Sequence, residues 1–294
     1  MSARPVLGLV VAHRQSEGGG FIVRRPFPSE RVSAIDPFLL LDEMGPADYA
    51  PGAAVGAPDH PHRGFETVTY LMSGEIEHRD SNGGFGVITP GAVQWMTAGA
   101  GIVHSEMPTE RMMREGGRMH GFQLWVNLRA ASKMIPPRYQ GYEAHEIPSR
   151  ELAGGGRLRV IAGEVDGLRG VVVTTSPVTF AHVTLTPGAS IRWSPAAGHT
   201  ALVHPFVGGV TVNDTAADEG SMVVCDRVDG EVSIVAPDTG CDLLLLGGEP
   251  LNEPIARYGP FVMNTRAEII QAFEDYEAGR LGSIVATGPG TNRA

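Results

Sequence analysis

Apolar and polar positions alternate in short runs along almost the whole chain, and glycine, proline and asparagine cut the runs apart. Residues 64–71 begin a β-branched and aromatic stretch, and Asp80-Ser81-Asn82-Gly83-Gly84 is a strong turn signal. Residues 87–91 and 93–96 read as further short strands with a turn between them. The same grain returns after residue 150, with expected strands at 158–165, 181–185, 201–204, 210–212 and 241–246. Between the two stretches, Lys133-Met134-Ile135-Pro136-Pro137-Arg138-Tyr139 cannot form one regular element across its two prolines. The pattern predicts an all-β chain with a first domain over 1–130, a connector over 131–150, a second domain over 151–284 and a mobile tail over 285–294. One segment departs from period two. Ile269, Ile270, Phe273 and Tyr276 recur at spacings of three to four, which predicts a short C-terminal helix capped by Asn264 or Thr265 and ended by Gly279. This helix is expected to pack across the domains or onto the opposite barrel.

Two histidine-bearing strands in the first domain carry the candidate chemistry. In an extended strand residues two apart share a face, roughly 6–7 Å apart. His60-Pro61-His62 and His104-Ser105-Glu106 therefore each aim two ligand groups the same way. Two such strands facing each other across a barrel bring together three imidazoles and one carboxylate, a ligand set for a first-row transition metal. Proline cannot donate to a sheet ladder, so Pro61 marks a strand start, an edge or a bulge. The second domain has His182, His199 and His204, with His145 nearby, but no His-x-His or His-x-Glu, and no second metal is expected there.

Composition narrows the classes. The 294 residues are enough for two ordinary domains, and 39 glycines with 22 prolines suit many short strands joined by tight turns. The net charge of −10 argues against direct nucleic-acid binding, which needs a basic footprint. Arg111, Arg114 and Arg118 alternate with Glu110 and Glu115, so that segment reads as a solvated loop or short helix. No run of about 18 apolar residues suggests a membrane span, and no secretion signal is evident. Cys225 and Cys241 are too few for a disulfide framework and read as buried thiols. A cytoplasmic monomer is the expectation.

Three longer segments, HPHRGFETVTYLMSG, GAVQWMTAGAGIVHSEMP and GEPLNEPIARYGPFVMNT, resemble the pirin family of bicupin proteins, and the resemblance runs from about Arg24 to about Gly282. It implies two tandem cupin (jelly-roll) β-barrels with one metal, usually iron, in the N-terminal barrel. The ligands carried over by position are His60, His62, His104 and Glu106, the four that strand parity selects. Fe(II) is the expected metal, and Cu, Ni, Mn or Zn would accept the same donors. Many cupins take their carboxylate from H-x-H-x3-E, the slot that Glu66 fills. Glu106 is preferred because it shares the face of His104, and Glu66 is kept as a residue supporting the ligands from behind. Gln123 and His120 are further supporting candidates, and Phe65, Met72, Phe85 and Met96 are candidates for the cavity lining. Pirin-like proteins include quercetin 2,3-dioxygenases, so the resemblance implies ring opening of a flavonol or related polyphenol with dioxygen; a metal would lower the pKa of a bound substrate hydroxyl, and Glu106 or Glu66 could accept its proton. The alternative it implies is an iron-dependent redox sensor that binds a transcription factor or a metabolic enzyme. A third reading is a cupin that binds a sugar or small acid without redox chemistry.

Overall fold

The computed structural model describes residues 2–17 and 19–284, so the expected tail lies outside the described residues. The chain forms two β-barrels of the cupin type, each made of a seven-stranded and a four-stranded sheet, followed by one C-terminal helix. Strand parity explains how they join. On the strand Phe65–Ser73, Val68 and Tyr70 point to one face of the large sheet, and Thr67 and Thr69 to the other. The first face meets its counterpart in the second domain, where Phe180, Leu202, Leu244 and Leu246 complete a shared core. The second face looks into the barrel. Strands covered on both faces read as continuous apolar runs, which is why the strand Cys241–Gly248 carries four leucines in succession. Burying each such side chain stabilises by about 1.5–3 kcal/mol.

The interior of the second barrel is filled by Trp193, Val203, Val212, Val223, Ile234 and Leu245. Cys225 and Cys241 are free and buried against the same core, and burial pushes both thiols up to about 11. Among the described residues, no helix is long and apolar enough to cross a membrane.

The chain ends cross over between the barrels, which corrects the expected boundaries. The strand Val6–Val11 pairs with Ser221–Cys225 at the edge of the second large sheet. Just before it, buried Arg4 donates to the carbonyls of Pro195, Ala196 and His199. In return, the hairpin of strands Ala256–Tyr258 and Phe261–Met263 and the helix Arg266–Glu277 lie on the first barrel. There Val103 packs with Phe261, Met263, Ile269 and Ala272, and Arg63 pairs with Asp275 at 2.7 Å. The first exchange covers the backbone of an edge strand, and the second buries apolar side chains on the first barrel. The connector is also more regular than expected. Once past Pro137, residues Arg138–Tyr142 form a strand on the edge of the first large sheet, beside Val93–Thr97.

The helix has the expected cap, with Thr265 and Glu268 forming a reciprocal capping box. Its buried positions are Ile269 and Ala272, with Phe273 partly covered. Ile270 is half exposed because it sits about 100° round the helix from Ile269, and Tyr276, in the last turn, is partly covered with its ring 6.5 Å from that of Phe261. The segment Glu110–Glu115 is a short helix capped by Thr109.

Candidate metal centre

The two histidine strands are hydrogen-bonded neighbours in the small sheet of the first barrel, not opposite walls of it. Ala57–His62 forms the sheet edge, where Pro61 needs no ladder partner, and Ile102–Pro108 runs antiparallel beside it. His60 stands directly opposite His104, and His62 opposite Ile102. Directly opposed residues share a face with their Cβ atoms only about 4.5–5.5 Å apart, so adjacency gathers the rings more tightly than a span across the barrel would. The ligand atoms of His60, His62 and His104 all lie within 4.8 Å of one another.

The ring nitrogens are arranged for coordination. His60 Nδ1 lies 2.8 Å from the Pro58 carbonyl, and His62 Nδ1 lies 3.2 Å from the Pro260 carbonyl. A carbonyl only accepts, so these contacts fix the tautomer and leave Nε2 with its lone pair. His104 is fully buried and, among the described residues, neither of its nitrogens has a hydrogen-bond partner. Burial, reinforced by the neighbouring imidazoles, holds His62 and His104 well below the usual histidine range, so both are neutral near pH 7. Leaving a buried polar ring unsatisfied costs about 1–3 kcal/mol per group. A divalent transition metal would satisfy these lone pairs, and the donor set fits one.

Glu106 is buried and accepts from Thr69 Oγ1 at 2.5 Å, Gln123 Nε2 at 2.9 Å and Gln94 Nε2 at 3.3 Å. Its carboxylate converges with His104 and with His78 in a second three-residue group, again within 4.8 Å. His104 thus belongs to both groups. His78 was not found by sequence reasoning. It is fully buried, its Nε2 lies 3.1 Å from Asp80, and Asp80 is held by the backbone N–H groups of Asn82 and Gly84. The available signal was His78-Arg79-Asp80 itself, two polar residues sharing a face beside Glu106.

The supporting candidates separate. Gln123 does hold Glu106. Glu66 points away from the cluster, because it lies an odd number of residues from Thr67 and Thr69, which face the barrel interior. It accepts from Thr97 and from Thr175 of the second domain, and burial raises its pKa despite those bonds. His120, three residues before Gln123, faces the other way as well and lies 3.0 Å from Glu43 between the domains. Two histidines of the second half also serve the domain contact: His182 bridges Tyr70 and Asp242, and His204 sits 3.8 Å from Glu43.

A cavity of about 650 Å³ opens onto His60, His62 and Glu106, with Leu40, Met44, Ile76 and Trp125 among its walls. None of the four expected lining residues is on it. Phe65 packs edge-on behind His62 at 5.0 Å. Met72 packs against the inter-domain core, and Met96 packs with Ala98 and Ile102. Phe85 is exposed beneath Arg79. Nearness in sequence to the ligands does not decide which face a strand residue takes.

The chain matches the Pirin family over residues 20–126 and the Pirin C-terminal cupin domain over residues 180–282. A provisionally named quercetin 2,3-dioxygenase of Pseudomonas aeruginosa is 45% identical over 281 residues, covering 94% of this chain and 98% of that protein. Human pirin is 39% identical over 286 residues, covering 96% and 95%. Among solved structures, a quercetin 2,3-dioxygenase from Acinetobacter baumannii superposes with a TM-score of 0.90 at 41% identity, covering 97% of this chain and all of that one. With both barrels matched in order, this chain belongs to the pirin family.

Proposed function

We propose that this protein is a metal-dependent dioxygenase that opens a ring of a flavonol or related polyphenol, with Fe(II) as its metal. The observation that carries the reading is the convergence of three imidazoles within 4.8 Å beside a 650 Å³ cavity with apolar walls. The names of the Pseudomonas and Acinetobacter relatives support the substrate class. His60, His62 and His104 would hold the metal, with Glu106 as the fourth ligand. When bound, the metal supplies a positive centre that lowers the pKa of an attached substrate hydroxyl and leaves positions open for dioxygen.

The protein's own groups do the rest. Thr69, Gln94 and Gln123 hold the Glu106 carboxylate in place, where it accepts the proton of the substrate hydroxyl. The Pro58 and Pro260 carbonyls fix the imidazoles of His60 and His62, which face the cavity. Leu40, Trp125 and Met44 offer apolar surface to a flat ring.

Glu106→Gln is expected to lower kcat by at least about 100-fold, the usual range for loss of a general base, while Glu66→Gln stays within about twofold. Steady-state oxygen uptake with quercetin reads both. Loss of activity on Glu66→Gln alone would mean that the carboxylate has been misassigned.

A further inference from the structure

Holding His62 does not account for the whole C-terminal hairpin. The turn at Gly259-Pro260 supplies the carbonyl beside His62, and Arg257, on the first strand of the same hairpin, reaches the cavity wall. Its guanidinium carbon lies 4.8 Å from the centre of the Trp125 ring, and one N–H donates to the Leu39 carbonyl at 3.2 Å. Trp125 packs against both Phe65 at 4.3 Å and His62 at 5.1 Å, so the ring that carries the guanidinium also touches a candidate metal ligand.

The other guanidinium on this wall is already committed. Arg25 bonds both Asp42 oxygens, at 2.6 and 2.5 Å, and pairs with Glu17 at 2.7 Å. Arg257 makes no ion pair among the described residues, and a guanidinium has five N–H donors, of which the Leu39 carbonyl takes one. The trio of Arg25, Asp42 and Glu17 carries one net negative charge, which balances Arg257 at a distance. Asp59 and Glu106 line the same cavity, so the unspent donors of Arg257 face surroundings already rich in carboxylates. That combination favours hydroxyl and carbonyl oxygens over a fully ionised group.

We propose that Arg257, stacked on Trp125 beside His62, forms a binding subsite on the cavity wall for a flat aromatic substrate, and donates hydrogen bonds to hydroxyl or carbonyl oxygens other than those at the metal. The subsite rests on the reading that the cavity takes a flavonol, and it is specific about which part of that flavonol is recognised. The test is anaerobic calorimetry on the Fe(II)-loaded protein with quercetin and with 3-hydroxyflavone. Both carry the ring skeleton and the 3-hydroxyl and 4-carbonyl pair that a metal can chelate, and 3-hydroxyflavone lacks quercetin's other hydroxyls. The wild type is expected to bind quercetin about tenfold more tightly. Arg257→Met should remove that preference by weakening quercetin alone, with metal content unchanged, and Arg257→Lys should restore part of it. Equal affinities in the wild type, absence of binding by either compound, or a preference that survives Arg257→Met would each overturn the subsite. A preference that depends on Arg257, in a protein that consumes no oxygen, would overturn the dioxygenase reading and leave the subsite standing.

Discussion

His104→Ala is expected to abolish metal binding, taking the metal content of the purified protein from about one per chain to below about a tenth. Disturbing a residue behind a ligand already weakens binding about 10–100-fold, and His104 is a candidate ligand itself. It is also the residue common to both convergent groups, with His60 and His62 on one side and His78 and Glu106 on the other. Among the described residues neither ring nitrogen has a hydrogen-bond partner, so no such bond is lost with it. The metal-free variant should therefore unfold in urea close to metal-free wild type, apart from the cost of the cavity left behind. Elemental analysis of the two proteins decides the matter, with His204→Ala, in the other barrel, as the control that keeps its metal. Full loading of His104→Ala would place the metal elsewhere.

The second large effect concerns Glu43, which is expected to be worth about 3–5 kcal/mol of stability at pH 7, the usual loss when one partner of a buried charge network is removed. Glu43 is fully buried between the barrels and takes a two-pronged contact from Arg24 at 2.9 and 2.5 Å. His120 lies 3.0 Å away and His204 3.8 Å. Burial alone would raise its carboxyl, but His120, His204 and Arg24 outweigh burial and lower it from 4.5 to about 2. A carboxyl depressed in the folded state stabilises fully above its unfolded pKa and loses that contribution as pH falls through the folded value. The window here runs from about 4.5 down to about 2, and the depression corresponds to about 3 kcal/mol. Urea melts of wild type and Glu43→Gln should differ most at pH 7 and draw together below pH 4.5. A constant gap down to pH 3 would show that Glu43 is not held ionised by its neighbours.

The legible parts of this protein were local ones. Period-two runs cut by turn residues located the strands, and i, i+2 spacing put His60 with His62 and His104 with Glu106. An apolar stripe at spacings of three to four, with Asn264 or Thr265 before it and Gly279 after it, marked the helix, and the structure makes Thr265 the cap. What escaped was set by pairing between distant strands. Nothing local says that Ala57–His62 and Ile102–Pro108 are adjacent, that Val6–Val11 joins the second barrel, or that Arg257 and Pro260 return to the first. Glu66 and His120 were misplaced for a simpler reason. Each lies an odd number of residues from a side chain that faces the site, and parity then sends it to the inter-domain face. Gly64 records the long-range packing most sharply: it has a φ of +90°, and a Cβ there would fall 2.0 Å from the Val262 carbonyl of the returning hairpin. The glycine of HPHRGF is explained only once that hairpin is in place.

The most direct test of the account is oxygen consumption by the iron-reconstituted protein supplied with quercetin, with His62→Ala measured alongside. The expected result is uptake that depends on iron, matches the loss of flavonol one for one and disappears in the variant. No uptake by a protein with iron confirmed in place would contradict the dioxygenase assignment. The same centre would then be examined as a redox sensor, through partners whose binding follows the oxidation state of the iron.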